Sequence, residues 1–192
     1  MFKKGILYIV LNYSIQFMNI ILNLLLMKYL NSYQLGSLAL ARVWQQLVDY
    51  SHLGTRFSLD RYLPTSDEVE KKYLVITVLI STIISSLIVC LAAIIINKAD
   101  IVIAILTVSG VFIAFTNILK AYYRATNNIN EMLKLVFYNQ VLPLVISLLV
   151  YIFTHDFNSY LITLLMGYFL FFIFLLYKEL ELFKFFEWVK FK

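Results

Sequence analysis

Residues 73–96 read YLVITVLISTIISSLIVCLAAIII, twenty-four positions without a charged side chain. A transmembrane helix needs about 20 predominantly apolar residues. Backbone polar groups cannot go unpaired in lipid, so a run of this length predicts a membrane-spanning helix rather than an open strand. Five further spans are expected on either side of it: residues 5–27, 35–53, 101–119, 132–153 and 160–177. The whole chain agrees with that reading. It has 192 residues, 62% hydrophobic and 14% charged, with 16 Phe and 14 Tyr, where a soluble domain is about 45–50% apolar and about 25% charged. Mean hydropathy is +0.84. A soluble fold of this size could not hide so much apolar side chain. The composition excludes a soluble enzyme, a disordered chain and a disulfide scaffold, and Cys90 is the single cysteine.

Lysine and arginine set the orientation. Lys3 and Lys4 precede the first span, Arg56, Arg61, Lys71 and Lys72 follow the second, and Lys120, Arg124 and Lys134 follow the fourth. Lys178, Lys184, Lys190 and Lys192 follow the sixth. Thirteen basic residues thus fall in alternate connections, against Lys28 and Lys98 in the others. The positive-inside rule then places both termini in the cytoplasm and requires an even number of spans. The expected fold is an all-α integral membrane bundle of six transmembrane helices over residues 1–177. A cytoplasmic amphipathic tail, residues 178–192, lies at the interface. The dispersed basic residues argue for topology rather than nucleic-acid binding.

Polar residues inside the spans carry the functional signal. Asn12, Gln16, Asn19 and Asn23 share one face of the first helix. Two readings are open for them: amides hydrogen-bonding between helices, or a water-lined face. In the second span Arg42, Gln45, Asp49 and His52 again share a face, with Gln46 beside them. A charge near the bilayer centre costs about 2.5–3.5 kcal/mol on insertion scales. Arg42 and Asp49 are about 10 Å apart along the helix axis, so each needs another helix, water or a ligand. The alternatives are an Arg42 that snorkels to an interface and a hydrated cavity in which Arg42 meets an anionic group. Thr77, Ser81 and Ser85 share a face of the third span, where hydroxyls can satisfy their own helix backbone. In the fifth span Pro143 removes an N–H and frees the Asn139 carbonyl, which makes Pro143 a hinge candidate.

Enzyme motifs are missing. There is no glycine-rich phosphate loop, no HExxH and no cluster with metal-ligand spacing. The chain is therefore expected to be no enzyme, with no catalytic residues, metal or cofactor.

Three stretches resemble a known family. Tyr29-Leu30-Asn31-Ser32-Tyr33-Gln34-Leu35-Gly36 resembles the short first outer loop of Wzx-type polysaccharide (O-antigen) flippases, members of the multidrug/oligosaccharidyl-lipid/polysaccharide exporter superfamily. Asp49-Tyr50-Ser51-His52-Leu53-Gly54, continuing to Arg61-Tyr62-Leu63-Pro64, is similar to the family's stretch after helix two, with His52 where an acidic residue is common. Leu119-Lys120-Ala121-Tyr122-Tyr123-Arg124-Ala125 resembles the basic loop before helix five.

The resemblance implies the N-terminal six-helix lobe of a two-lobe flippase in the bacterial inner membrane. Its expected function is translocation of an undecaprenyl-pyrophosphate-linked oligosaccharide for O-antigen or capsule biosynthesis, as half of a flippase coupled to a proton or sodium gradient. The expected partners are the lipid-linked oligosaccharide, membrane lipid and a second six-helix lobe, from a separate chain or a homodimer, and no nucleic acid. Arg42, Gln45, Gln46, Asn12, Gln16, Asn19 and Asn23 are then the cavity candidates for substrate binding, since guanidinium pairs bidentately with phosphate oxygens. Asp49 is the ion-coupling or charge-balancing candidate. The alternatives are a split-gene or truncated fragment inactive by itself, and a membrane scaffold or assembly subunit.

Overall fold

The computed structural model describes residues 2–52, 54–98 and 100–179. They form helices α1 (Phe2–Tyr29), α2 (Ser32–Tyr50), α3 (Thr55–Tyr62), α4 (Glu68–Ile96), α5 (Ile101–Ala125), α6 (Ile129–Val136), α7 (Leu142–Thr154) and α8 (Phe157–Lys178), with a π-turn at Phe137–Val141 between α6 and α7. No strand occurs among the described residues. The fold is all-helical, as its apolar runs require.

Among the described residues, four stretches are long and apolar enough to cross a membrane: Val69–Ile96, Ile101–Ala125, Ile129–Thr154 and Phe157–Lys178. They give the chain the make-up of a multi-pass membrane protein. α2, which carries the Arg42–Asp49 face, is not among the four. The surface matches lipid exposure. α4 displays Ile84, Ile88, Leu91 and Ile95, and α8 displays Ile162, Leu170 and Phe174, all exposed. A soluble monomer rarely shows so continuous an apolar surface.

Local chemistry sets the helix ends. Asn31 caps α2 by a capping box: its Oδ1 accepts the Gln34 N–H at 2.8 Å, and Gln34 Oε1 accepts the Asn31 N–H at 3.2 Å. Asp67, Asp100 and Asp156 cap α4, α5 and α8 through their carboxylates. The Ser159 hydroxyl and the Ser159 and Asn158 N–H groups hold the Asp156 carboxyl below the usual carboxylate range. α2 ends at Tyr50, three residues short of the expected boundary; Ser51 and His52 form a turn, and Leu53 lies outside the described residues. The reversal uses Gly54 at φ 85°, a left-handed conformation that costs glycine little. It launches α3, an element the hydropathy pattern does not mark.

α5 is the central helix. It packs against α2, α4 and α8 and touches α3 and α6, while α1 packs on α6, the π-turn and α7. Its contact with α2 is close at Gly110, where a Cβ would lie 3.0 Å from the Gln45 carbonyl and 3.1 Å from Val48 Cβ. Two apolar cores fill opposite ends of the bundle. One joins Leu30, Leu38, Leu106, Tyr151 and Leu161. The other joins Leu59, Leu63, Leu119, Met132 and Leu175, beside most of the basic residues. That second end is the basic end of the bundle.

The disturbance expected around Pro143 takes the form of the π-turn. The Leu142 N–H reaches back to the Phe137 carbonyl, so the helix widens by one residue just before the proline and then continues. Gly167 lets α8 approach there: a Cβ at Gly167 would lie 3.1 Å from Pro143 Cβ. Of the expected interfacial tail, Lys178 and Glu179 are the only described residues.

Candidate functional site

Two polar clusters occupy the bundle, one around Arg42 and one around Asp49. Both grow from the face of α2 that the sequence marks. Arg42 lies ten residues into α2, about 15 Å along its axis, and is half-buried. Its Nη1 donates to Asn23 Oδ1 of α1 at 2.8 Å. Asn23 in turn donates through Nδ2 to the Asn19 carbonyl at 2.9 Å, which aims its Oδ1 at the arginine. α2 packs on α5 and α4 whereas α1 packs on α6 and α7. The Arg42–Asn23 bond therefore ties together helices held by different neighbours.

Tyr160 of α8 completes this first cluster. It is fully buried, stacks on Phe157 at 6.0 Å, and its hydroxyl lies near the Arg42 and Ser147 side chains without meeting hydrogen-bond geometry to either. That hydroxyl has no hydrogen-bond partner among the described residues. The Ser147 hydroxyl is committed to the Leu144 carbonyl at 3.1 Å. A buried hydroxyl without a partner costs about 1–3 kcal/mol. The interior thus holds a guanidinium with spare N–H groups beside a hydroxyl that can donate or accept, the donor set that pairs with an oxyanion.

The second cluster sits at the basic end. Asp49 Oδ1 accepts from Asn117 Nδ2 of α5 at 2.9 Å and faces Arg56 Nη1 of α3 at 3.5 Å. Asp60 of α3 takes a two-pronged grip from Arg124 of α5: Nε donates to Oδ1 at 3.0 Å and Nη2 donates to Oδ2. α3 is thereby clamped across α5 by its own alternation of charges. Asp49 already carries a cation and an amide, so its carboxylate is balanced within the protein.

The remaining expected site residues scatter. Gln45 donates through Nε2 to Ser109 Oγ of α5 at 2.7 Å, a bond between helices next to Gly110. Gln46 and Gln16 are exposed, and Asn12 is half-buried. Asn19 follows the buried stripe Ile15, Leu22 and Leu26, and its Oδ1 has no partner among the described residues. The four amides of α1 therefore share a helix face without sharing a partner. His52 is buried in the turn after α2; its Nδ1 accepts the Gly54 N–H at 3.0 Å, and Phe57 meets its ring edge-on at 5.8 Å. Pro143 is buried against α8. Asn117, Arg56, Asp60 and Tyr160 join these clusters although no sequence pattern marks them as site residues. Asn117 comes nearest to a signal, a lone amide three residues before Lys120 in an apolar helix.

Among the described residues no group of three His, Cys, Asp or Glu could hold a metal ion. No family model, curated protein or solved structure matches the chain.

Proposed function

We propose that the chain is one lobe of a flippase that moves an undecaprenyl-pyrophosphate-linked oligosaccharide across the bacterial inner membrane for surface-polysaccharide synthesis. The observation that carries this reading is Arg42, anchored by Asn23 in mid-helix and faced by the partnerless Tyr160 hydroxyl. A cation that deep has a cost that an anionic cargo offsets, and guanidinium is the side chain suited to pyrophosphate. The resemblance of Tyr29–Gly36, Asp49–Pro64 and Leu119–Ala125 to Wzx-type flippases supports the same reading. The pairing of Asp49 with Arg56 and Asn117 favours charge balance over ion coupling for that residue.

In this proposal all six long helical stretches cross the membrane and both termini are cytoplasmic. α1 supports that count: its 28 residues exceed the span requirement, and Phe17, Ile20 and Leu24 are exposed on its surface. The topology has a direct test. In otherwise cysteine-free protein, a cysteine replacing Asn158 should react with a membrane-impermeant maleimide from outside intact cells. A cysteine replacing Thr65 should react only after lysis. The reverse pattern overturns the orientation.

Transport itself is tested in proteoliposomes. Alternating access needs two bundles that rock about a shared cavity. Lipid-linked oligosaccharide labelled on its sugar should change leaflet when this lobe is reconstituted with a second lobe, supplied as a separate chain or as a further copy. Protein held monomeric should leave the label in its original leaflet. Rapid translocation by the monomer sinks the two-lobe mechanism. No translocation in any assembly sinks the flippase reading and leaves the scaffold.

A further inference from the structure

The basic end holds a cavity of about 170 Å³ between α3 and α5, lined by Arg56, Asp60, Asn117, Lys120 and Arg124, with Phe57 at its edge. Lys120 stands apart from the other charged lining residues. Arg56 is engaged with Asp49 and Arg124 with Asp60. Half-buried Lys120 lies within electrostatic range of Arg124, Arg56 and Asp49, yet among the described residues it makes no hydrogen bond or ion pair. Desolvation is the main cost to an ammonium taken partly out of water there, and repulsion from the Arg124 and Arg56 guanidinium groups adds to it. Asp49, the carboxylate within electrostatic range of Lys120, is already shared by Arg56 and Asn117.

The two arginines are not exhausted by their carboxylates. A guanidinium has five N–H donors; the Arg56 contact with Asp49 uses Nη1, and Arg124 uses Nε and Nη2 on Asp60. Spare guanidinium donors and all three of the Lys120 ammonium therefore border one small space. With Asp49 and Asp60 counted, the surroundings carry one net positive charge. The volume is below the range of about 300–1,000 Å³ that houses a drug-sized ligand, so the cavity suits a small anionic group rather than a sugar chain. Tetrahedral oxygens reached from several directions by N–H donors describe a phosphate.

We propose that this cavity binds a phosphate group, with Lys120 as its central donor and Arg56 and Arg124 flanking it. The phosphate comes either from the headgroup of an anionic lipid or from a soluble phosphate compound. The site is distinct from the Arg42 cluster and does not depend on transport, so its failure leaves the flippase reading standing.

The test uses the full chain in nanodiscs. In phosphatidylcholine discs, inorganic pyrophosphate should raise the melting midpoint, whereas chloride at matched ionic strength should not. Lys120→Gln should weaken pyrophosphate binding, measured by calorimetry, by about tenfold or more, as loss of a charge-assisted donor requires. Lys120→Arg should keep most of it. Arg61→Gln should leave it unchanged, because Arg61 is exposed beside Tyr62 and does not line the cavity. Phosphatidylglycerol discs separate the sources. If they stabilise the unaltered chain but not Lys120→Gln, and suppress the pyrophosphate response, the occupant is a lipid headgroup. If pyrophosphate binds equally in both discs, it is a soluble phosphate. Absence of any response to pyrophosphate and phosphatidylglycerol overturns the site, as does a response that Lys120→Gln retains in full. If Lys120→Gln does not fold, Lys120→Arg and Arg42→Gln decide: both should keep the pyrophosphate response, and its loss in Arg42→Gln assigns the binding to Arg42 and overturns the site.

Discussion

Replacing Arg42 with Gln should, in the flippase proposed above, abolish export of surface polysaccharide with the protein still present in the membrane. The glutamine can still donate one hydrogen bond toward Asn23, which receives Arg42 Nη1 at 2.8 Å, so the tie between α1 and α2 is weakened rather than lost. What disappears is the positive charge and the forked donor beside Tyr160. Loss of a buried charge-assisted contact costs about 2–5 kcal/mol, which at 1.4 kcal/mol per decade is roughly 30- to 4,000-fold in affinity. Lys at this position retains the charge and loses the planar fork, and should retain part of the activity. Tyr160→Phe removes the partnerless hydroxyl without opening a cavity. It should reduce export while leaving the folded protein as stable or slightly more so, because a buried hydroxyl without a partner is unfavourable. Polysaccharide yield normalised to protein level is the measurement. Normal export from both Arg42 variants would show that the arginine is a structural tie and that the cargo contacts something else.

The second large effect is structural. Gly110→Leu should lower the melting midpoint in detergent strongly, because α2 and α5 meet there with no room for a side chain. Even the first added carbon would sit 3.0 Å from the Gln45 carbonyl and 3.1 Å from Val48 Cβ. The remaining three carbons must force the helices apart, an overpacking cost of about 1–3 kcal/mol or more. The separation would also stretch the 2.7 Å bond from Gln45 to Ser109 and pull Asp49 from Asn117. Gly36 is the internal comparison. A Cβ there meets nothing within 4 Å, so Gly36→Ala should stabilise α2 by about 1 kcal/mol through helix propensity. Gly110→Ala should do the opposite. Equal behaviour of the two alanine variants would show that the α2–α5 contact is looser than the structure has it.

The helices themselves were legible because lipid leaves few options. Residues 101–125 form a helix wherever they pack, since an apolar run in hydrocarbon must bond its own backbone. Asp100 and Asp156 announce their helix starts by short-range capping that involves only the next three residues. α3 was not legible. Residues 55–62 are mostly polar, and the segment is held by Leu59 in a distant core and by Asp60 gripping Arg124. The disturbance at Pro143 could be foreseen from its missing N–H, but its form could not. Whether the helix breaks, kinks or widens into a π-turn depends on what packs against it, here Gly167 of α8.

The same division runs through the site. One-dimensional spacing was enough to put Arg42, Gln45 and Asp49 on one face of α2, because a helix repeats every 3.6 residues. It was also enough to show that Arg42 and Asp49 could not neutralise each other. Their partners were beyond its reach. Asn23 is 19 residues from Arg42, and Asn117 is 68 from Asp49. Which of several amides meets a given charge depends on how far each helix is rotated about its axis and shifted along it. Those two quantities are set by the sum of many weak apolar contacts and by close approaches such as Gly110, not by any local pattern. Sequence alone determined an apolar helical chain with a charged face in its second helix. The tertiary structure decided that this face divides between an arginine bonded to Asn23 beside a buried tyrosine and a carboxylate closed off by Arg56 and Asn117.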